Sequence, residues 1–86
     1  GNLPQAPVND IVIGPAGILF VATDAGVYAG APSGRLWLRL GHLPLAPVND
    51  IEFNAISGRL FAATFGRGVY STRIVPAVQA RLLGAR

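Results

Sequence analysis

The chain has 86 residues, of which 51% are hydrophobic, and seven basic residues against four acidic ones give it a formal charge of +3. This apolar content is too high for a disordered chain, yet a single core of this size is marginal without additional burial. The sequence contains no cysteine, which excludes disulfides and thiolate metal sites, so we expect the additional burial to come from association.

The basic residues are all arginines and are spread singly along the sequence, without the clustered stripe that follows a phosphate backbone. Nucleic acid is therefore not predicted as a partner. No apolar run approaches the eighteen or so residues that cross a bilayer, so a membrane partner is not predicted either. No cofactor or metal site is predicted, because the sequence has no glycine-rich phosphate loop, nucleophile elbow or metal-ligand spacing.

The first half of the chain predicts four short strands separated by turns. Glycine and proline mark the turns, and the runs between them are rich in β-branched, aromatic and other apolar residues. The run ILFVAT at residues 18–23 is almost uninterruptedly apolar, which favours a strand buried on both faces. The predicted strands are residues 8–13, 18–23, 27–31 and 36–40.

The second half repeats this plan. LPQAPVNDIVIGPAGILFVATDAGVY, from residue 3, returns as LPLAPVNDIEFNAISGRLFAATFGRGVY, from residue 43, and such a period is typical of propellers. The corresponding strands are 48–53, 59–64 and 69–73. A fourth strand is predicted at 78–83, because ARLLG aligns with WLRLG of the first unit. A helix is the alternative there, since AVQARLLGAR favours helix and has a glycine stop at Gly84.

Each unit is thus predicted to be a four-stranded antiparallel propeller blade, the first at residues 1–42 and the second at 43–86. One face of a blade covers about 300 Å², and leaving it wet would forfeit about 7 kcal/mol. That is comparable with the roughly 5 to 15 kcal/mol stability of a whole domain. The predicted fold class is therefore an all-β propeller closed by homo-oligomerisation. A homotrimer with six blades is favoured, and a homotetramer with eight comes next.

The chain resembles the Asp-box (bacterial neuraminidase repeat) β-propellers, whose blades carry runs similar to PVNDI, LFVAT and GVY. In that family a turn of the form Ser-x-Asp-x-Gly-x-Thr-Trp follows these runs. YAGAPSGRLW in the first unit keeps the spacing, with Gly34 and Trp37 on the glycine and tryptophan of the motif. Gly30, Pro32 and Leu36 replace its serine, aspartate and threonine, so the box is degenerate. The resemblance implies a propeller fold but no single function, since such folds serve hydrolases, receptors and assembly factors alike.

Polar residues open the innermost predicted strand of both units, as Asn9 and Asp10 and again as Asn49 and Asp50. In a closed ring these side chains would line the central channel as a girdle that holds water or cations. The alternative is that they hydrogen-bond the adjacent turn or the backbone of the next blade, as short polar side chains readily do.

Three residues are candidates for binding a ligand. Trp37 offers a flat face for a sugar ring, although its position below the turn also fits a packing role. Phe65 and Arg67 pair an aromatic ring with a cation at a hairpin tip. These residues favour a carbohydrate-binding, lectin-like propeller as the alternative function.

The leading functional prediction is a non-enzymatic scaffold or interaction module that self-assembles from two-blade chains. Such a chain would be a fragment of, or a building block for, a larger propeller. An enzyme is not predicted, because Tyr28 and Tyr70 occupy the same position of the repeat and are better explained by a shared packing role. The predicted partners are further copies of the chain and, in the alternative, glycans.

Overall fold

The structure, a computed structural model, describes residues 5–41, 43 and 46–84. The predicted unit limits at residues 1, 42 and 86 lie outside the described residues. Two antiparallel sheets and one short helix make up the described part of the chain. The strands are β1 (Val8–Ile13), β2 (Leu19–Thr23), β3 (Gly26–Gly30), β4 (Trp37–Arg39), β5 (Val48–Asn54), β6 (Arg59–Thr64) and β7 (Gly68–Arg73), and the helix is α1 (Pro76–Leu83).

The all-β prediction is confirmed at this coarse level. The first sheet has the order β1-β2-β3-β4 and the second has the order β5-β6-β7, so each is a meander of sequential neighbours. These seven strands differ from their predicted bounds by no more than one residue at either end. The tight turn between β2 and β3 uses Gly26 at φ 105°, a conformation that residues with a Cβ rarely adopt. Of the helices in the described residues, none has both the length and the apolar character needed to cross a membrane.

The predicted fourth strand of the second unit, at 78–83, is wrong, because that segment lies in α1. Only Ile74 and Val75 separate β7 from Pro76, whereas a six-residue turn leads from β3 to β4 in the first sheet. Pro76 suits the first turn of a helix, where its missing N–H is not needed. The Gln79 side chain donates to the carbonyl of Ile74 at 3.3 Å and ties α1 to the end of β7. The second unit is therefore three strands and a helix rather than a four-stranded blade.

Each sheet has two distinct faces, because residues opposite each other in an antiparallel pair share a face. We call the face that carries Thr23 in the first sheet and Thr64 in the second the leading face. The opposite face, which carries Ala22 in the first sheet and Ala63 in the second, is the trailing face. In the first sheet the leading face carries Val8, Ile11 and Ile13, and the trailing face carries Phe20, Ala22, Val27 and Ala29. In the second sheet the leading face carries Val48, Ile51, Phe53 and Leu60, and the trailing face carries Glu52, Phe61, Ala63 and Val69.

The two sheets pack with unlike faces in contact, the trailing face of the first against the leading face of the second. The ring of Phe20 stacks on that of Phe53 with the centroids 5.5 Å apart. Val48, Ile51 and the trailing-face residues of the first sheet are buried in one common core. Each fully buried large apolar side chain in such a core contributes about 1.5 to 3 kcal/mol.

The helix closes one side of this core. Leu82 of α1 is fully buried and belongs to the same cluster as Ile74, Leu40 and Leu43. Leu40 and Leu43 follow β4, so the helix and the link between the two sheets contribute to one apolar cluster. The segment that was predicted to extend the second sheet instead adds to the core shared by both.

Candidate functional site

The polar site of the molecule lies where β1 runs beside β5. The Asn9 amide Nδ2 donates to the carbonyl of Val48 and to Asp24 Oδ1, each at 2.9 Å. The Ile51 N–H donates to Asp10 Oδ2 at 3.0 Å. For the first copy of the motif, the predicted bonding to the adjacent turn and to the backbone of the next sheet is confirmed. Asn9 and Asp10 thus join the two sheets at the inner edge of their interface.

A β-bulge directs these side chains towards the neighbouring sheet. Asn9 is the additional residue between Val8 and Asp10 in β1, and the register of β5 shifts in the same way at Asn49. A bulge bends its strand and re-aims the side chains next to it. Both copies of the motif therefore lie at the same kind of bulge, although within the described residues only the first copy faces a second sheet.

The two aspartates differ in their electrostatic setting. The hydrogen bond from the Ile51 N–H lowers the pKa of Asp10. Partial desolvation acts in the opposite direction and raises it, whereas the side-chain hydrogen bond with Asp50 and the hydrogen bond from the Ile11 N–H lower it further. The side-chain hydrogen bond with Asp10 raises the pKa of Asp50, and desolvation and the charges of Asp10 and Glu52 add to this effect. The Ile51 N–H offsets part of that rise. Asp10 is held as a carboxylate by the sheet beside it, whereas Asp50 has a second carboxyl as its neighbour.

The aspartates do not form a metal site by themselves. In the part of the chain that the structure describes, no three His, Cys, Asp or Glu side chains form a group that could hold a metal ion. A cation in the channel would need carboxylates from further blades, because a hard cation takes six or more oxygen ligands or keeps several waters. The channel-lining role of Asn9, Asp10, Asn49 and Asp50 stays a prediction.

Trp37 is half-buried at the start of β4. Its indole Nε1 donates to the carbonyl of Gly34 at 3.0 Å, which closes the turn between β3 and β4. The ring lies against Gly30, where an added Cβ would overlap it. This arrangement agrees with the packing role below the turn. A role in stacking on a sugar stays a prediction.

The three ligand-binding candidates are not brought together within one chain. Trp37 pairs with Gly30, at the end of β3 remote from the β2–β3 turn. Phe65 and Arg67 lie in the β6–β7 turn, directly after Thr64. The β2–β3 and β6–β7 turns lie at the same end of the molecule, since β1 and β5 run side by side in one direction. A five-residue strand spans roughly 16 Å, so one small ligand cannot reach Trp37 and this turn together.

Two faces carry exposed apolar residues that the sequence analysis did not identify. They are the leading face of the first sheet and the trailing face of the second, which we call the open faces. Ile11 on the leading face of the first sheet is 58% exposed, and its repeat equivalent Ile51 is 4% exposed. On the trailing faces the order is reversed, since Val27 is 1% exposed and Val69 is 69% exposed. An open cleft on the trailing face of the second sheet is lined by Asp50, Ile51, Glu52, Phe61, Ala63 and Val69. The sequence does contain a signal for these faces. Successive side chains of a strand point to opposite faces, so aligning the strands of the two repeats assigns each residue to a face.

The tyrosines of the repeat also lie at equivalent positions. Tyr28 is opposite Val21 on the leading face of the first sheet, and Tyr70 is opposite Ala62 on that of the second. This equivalence agrees with a shared packing role.

Searches of protein-family models, curated proteins and solved structures find no match to the chain.

Proposed function

We propose that this chain is a non-enzymatic scaffold or interaction module that assembles with copies of itself into a closed β-propeller, two blade units per chain. One observation supports this proposal above the others: repeat-equivalent apolar residues of β1 and β5, and of β3 and β7, have opposite exposure in the two sheets. Val8 and Ile11 are exposed where Val48 and Ile51 are buried, and Val69 is exposed where its equivalent in β3 is buried. The chain therefore ends in two different open faces of the kinds that pack together inside it.

Unlike faces in contact define a heterologous arrangement, which continues from copy to copy and forms a ring if the rotation closes. A like-to-like dimer would bury only one kind of face and leave the other wet. A ring covers both kinds, which is the reason that radial repetition suits blades with two apolar faces. A homotrimer with six blade units is the favoured ring, and a homotetramer with eight is the next.

Two features of the turn between β3 and β4 support the resemblance to Asp-box blades. Gly34, on the glycine of the motif, has φ 74°, a conformation that favours glycine. Trp37, on the tryptophan of the motif, is hydrogen-bonded back to Gly34. The turn thus keeps a glycine and a tryptophan in a closed arrangement although the serine, aspartate and threonine are replaced.

The molar mass in solution tests the proposal. Light scattering after size exclusion should give an integer multiple of the 8.9 kDa chain, with about 27 kDa for the trimer. Native mass spectrometry should give the same stoichiometry in a single dominant species. A chain that remains a folded, monodisperse monomer at all concentrations contradicts the proposal.

A carbohydrate-binding propeller is the second candidate, on the observation that Phe65 is 68% exposed on the same turn as Arg67. A glycan array on the assembled protein tests it. Phe65→Ala should abolish specific binding without loss of assembly. Ile56→Ala is the matched control, because Ile56 is fully exposed on the turn between β5 and β6. No glycan binding by the wild-type assembly removes this candidate and leaves the scaffold proposal unaffected.

A further inference from the structure

We propose that Asn49 and Asp50 are docking residues that attach the second sheet of one copy to the first sheet of the next. The partner is a second copy of this chain, and its contact groups are the carbonyl of Val8 and the N–H of Ile11. This inference rests on the proposed function and specifies the polarity and register of the contact between copies.

The polar part of the contact follows from the junction inside the chain. There, Asn9 Nδ2 donates to the carbonyl of Val48, and Asp10 Oδ2 accepts from the N–H of Ile51. Asn49 and Asp50 lie at the same kind of bulge as Asn9 and Asp10, forty positions later in the sequence. By the same repeat, their contact groups on the next copy are the carbonyl of Val8 and the N–H of Ile11, which lie forty positions before Val48 and Ile51.

The setting of Asp50 fits this role. Asp10 receives N–H groups from its own neighbour Ile11 and from Ile51 of the adjacent sheet. Within the described residues, Asp50 has no adjacent sheet on its trailing side to supply the second of these donors. Docking onto Ile11 of the next copy provides it. The Ile11 N–H, which donates to Asp10 of its own chain, would be shared with Asp50 of the neighbouring copy, as the Ile51 N–H is shared between Asp50 and Asp10 inside the chain. The Asp50 carboxylate thereby gains a charge-assisted hydrogen bond from the neighbouring copy.

The apolar part of the contact follows the same rule. Phe20 stacks on Phe53 inside the chain, and their repeat equivalents are Phe61 and Ile13. Both equivalents are exposed. Phe61 lines the open cleft on the trailing face of the second sheet, beside Asp50. In the contact between copies, Ile13 of the next copy covers Phe61 as Phe53 covers Phe20.

Two double variants test the docking role. Asn49→Ala with Asp50→Ala should raise the concentration at half-assembly about tenfold, the loss expected for a net hydrogen bond to a charged group. Far-ultraviolet circular dichroism of this variant should remain unchanged. Asn9→Ala with Asp10→Ala, the matched control, removes the equivalent bonds inside the chain and should lower the midpoint of urea unfolding.

Cysteine cross-linking tests the geometry, since the chain has no cysteine of its own. Ile13→Cys with Phe61→Cys should give covalent multiples of the chain when treated with a short bismaleimide. Ile13→Cys with Phe65→Cys is the control and should give mainly single chains, because Phe65 is exposed on the β6–β7 turn, at the end of the second sheet opposite to the one that Ile13 of the next copy would reach.

The outcomes separate the two proposals. The docking role is overturned if wild-type chains assemble, the Asn49 and Asp50 variant assembles equally well, and the Ile13 and Phe61 cysteine pair gives no cross-linked multiples of the chain. The scaffold proposal then still stands. Wild-type chains that remain monomeric overturn both. Cross-linked multiples together with the tenfold shift support the docking role.

Discussion

The two sheets share a sequence plan, but their open and closed faces differ in polarity. On the trailing face of the first sheet, which is closed within the chain, Val12 and Ala29 pack against the core. Their equivalents on the open trailing face of the second sheet are Glu52 and Ser71. The comparison indicates that the junction inside the chain is drier than a contact between copies through the open face would be. A copy-to-copy contact of this kind should be weaker than the internal one, and therefore reversible.

The outer edges of the sheets differ as well. In the first sheet Gly30 leaves room for the ring of Trp37, so β4 packs closely along β3. The equivalent of Gly30 in β7 is Thr72, whose side chain occupies the corresponding position. A fourth strand with the same packing is thus not available to the second sheet, and α1 follows instead.

The largest expected effect comes from the closed face. Phe20→Ala should cost about 3 to 5 kcal/mol of unfolding free energy, because it leaves a cavity against Phe53 in the shared core. Phe61→Ala, at the equivalent position on the open face, should change chain folding little and should weaken assembly. Urea denaturation at several protein concentrations separates the two effects. Equal losses in both variants at low concentration would contradict the distinction between the faces.

The next effect tests the helix that replaces the outer strand. Leu82→Ala should destabilise the chain by about 2 to 5 kcal/mol, since Leu82 is fully buried in the core common to both sheets. Leu83→Ala is the control, because Leu83 is substantially exposed, and its effect should stay within about 0.5 kcal/mol. Thermal unfolding followed by circular dichroism measures both. A neutral Leu82→Ala would show that α1 is not part of the core.

An intermediate effect is expected on the open face itself. Glu52→Val gives the second sheet the residue found at Val12 in the first, so the contact between copies should tighten about tenfold, or about 1.4 kcal/mol. Sedimentation velocity over a dilution series measures the shift. Val12→Glu is the reverse exchange and should destabilise the junction inside the chain. Assembly that is unchanged by Glu52→Val would argue against burial of this face.

The smallest effect concerns pH. The pKa of Asp10 is lowered in the folded chain, so its contribution to stability is present above the pKa of the unfolded state and is lost as pH falls through the folded value. Because solvent screens this carboxylate, the loss should stay below about 1 kcal/mol. Asp10→Asn should flatten the acid side of the stability profile, measured by urea unfolding between neutral pH and pH 3. An unchanged profile in that variant would exclude Asp10 as the titrating group.

Much of the fold was predictable, because it depends on short-range patterns that occur twice. The runs VNDI, LFVAT and GVY each predicted a strand, and their flanking glycines and prolines marked the turns. The fourth strand of the second unit was predicted wrongly, because the alignment of ARLLG with WLRLG outweighed the helix propensity of the segment and the short link before Pro76. Where a repeat diverges, local propensity and the length of the connection decide the structure.

The site was predictable only in part. The bonding of Asn9 and Asp10 was among the predicted roles, because short polar side chains that open an inner strand have few other partners. The bulge that directs them was not visible, since it depends on the register of β1 against β2. The opposite pKa shifts of Asp10 and Asp50 were not predictable either. They arise because Asp10 faces the backbone of the second sheet, whereas Asp50 faces the carboxyl of Asp10.

The helix α1 also affects the rotational symmetry that a closed ring of copies would have. If copies close into a ring, every first sheet contributes a fourth strand to the rim and every second sheet contributes a helix. The outline of the particle then alternates around its circumference, so its true rotational order equals the number of polypeptides rather than the number of sheets. A protein fused after the helix would be displayed once per polypeptide, at every other position on the circumference.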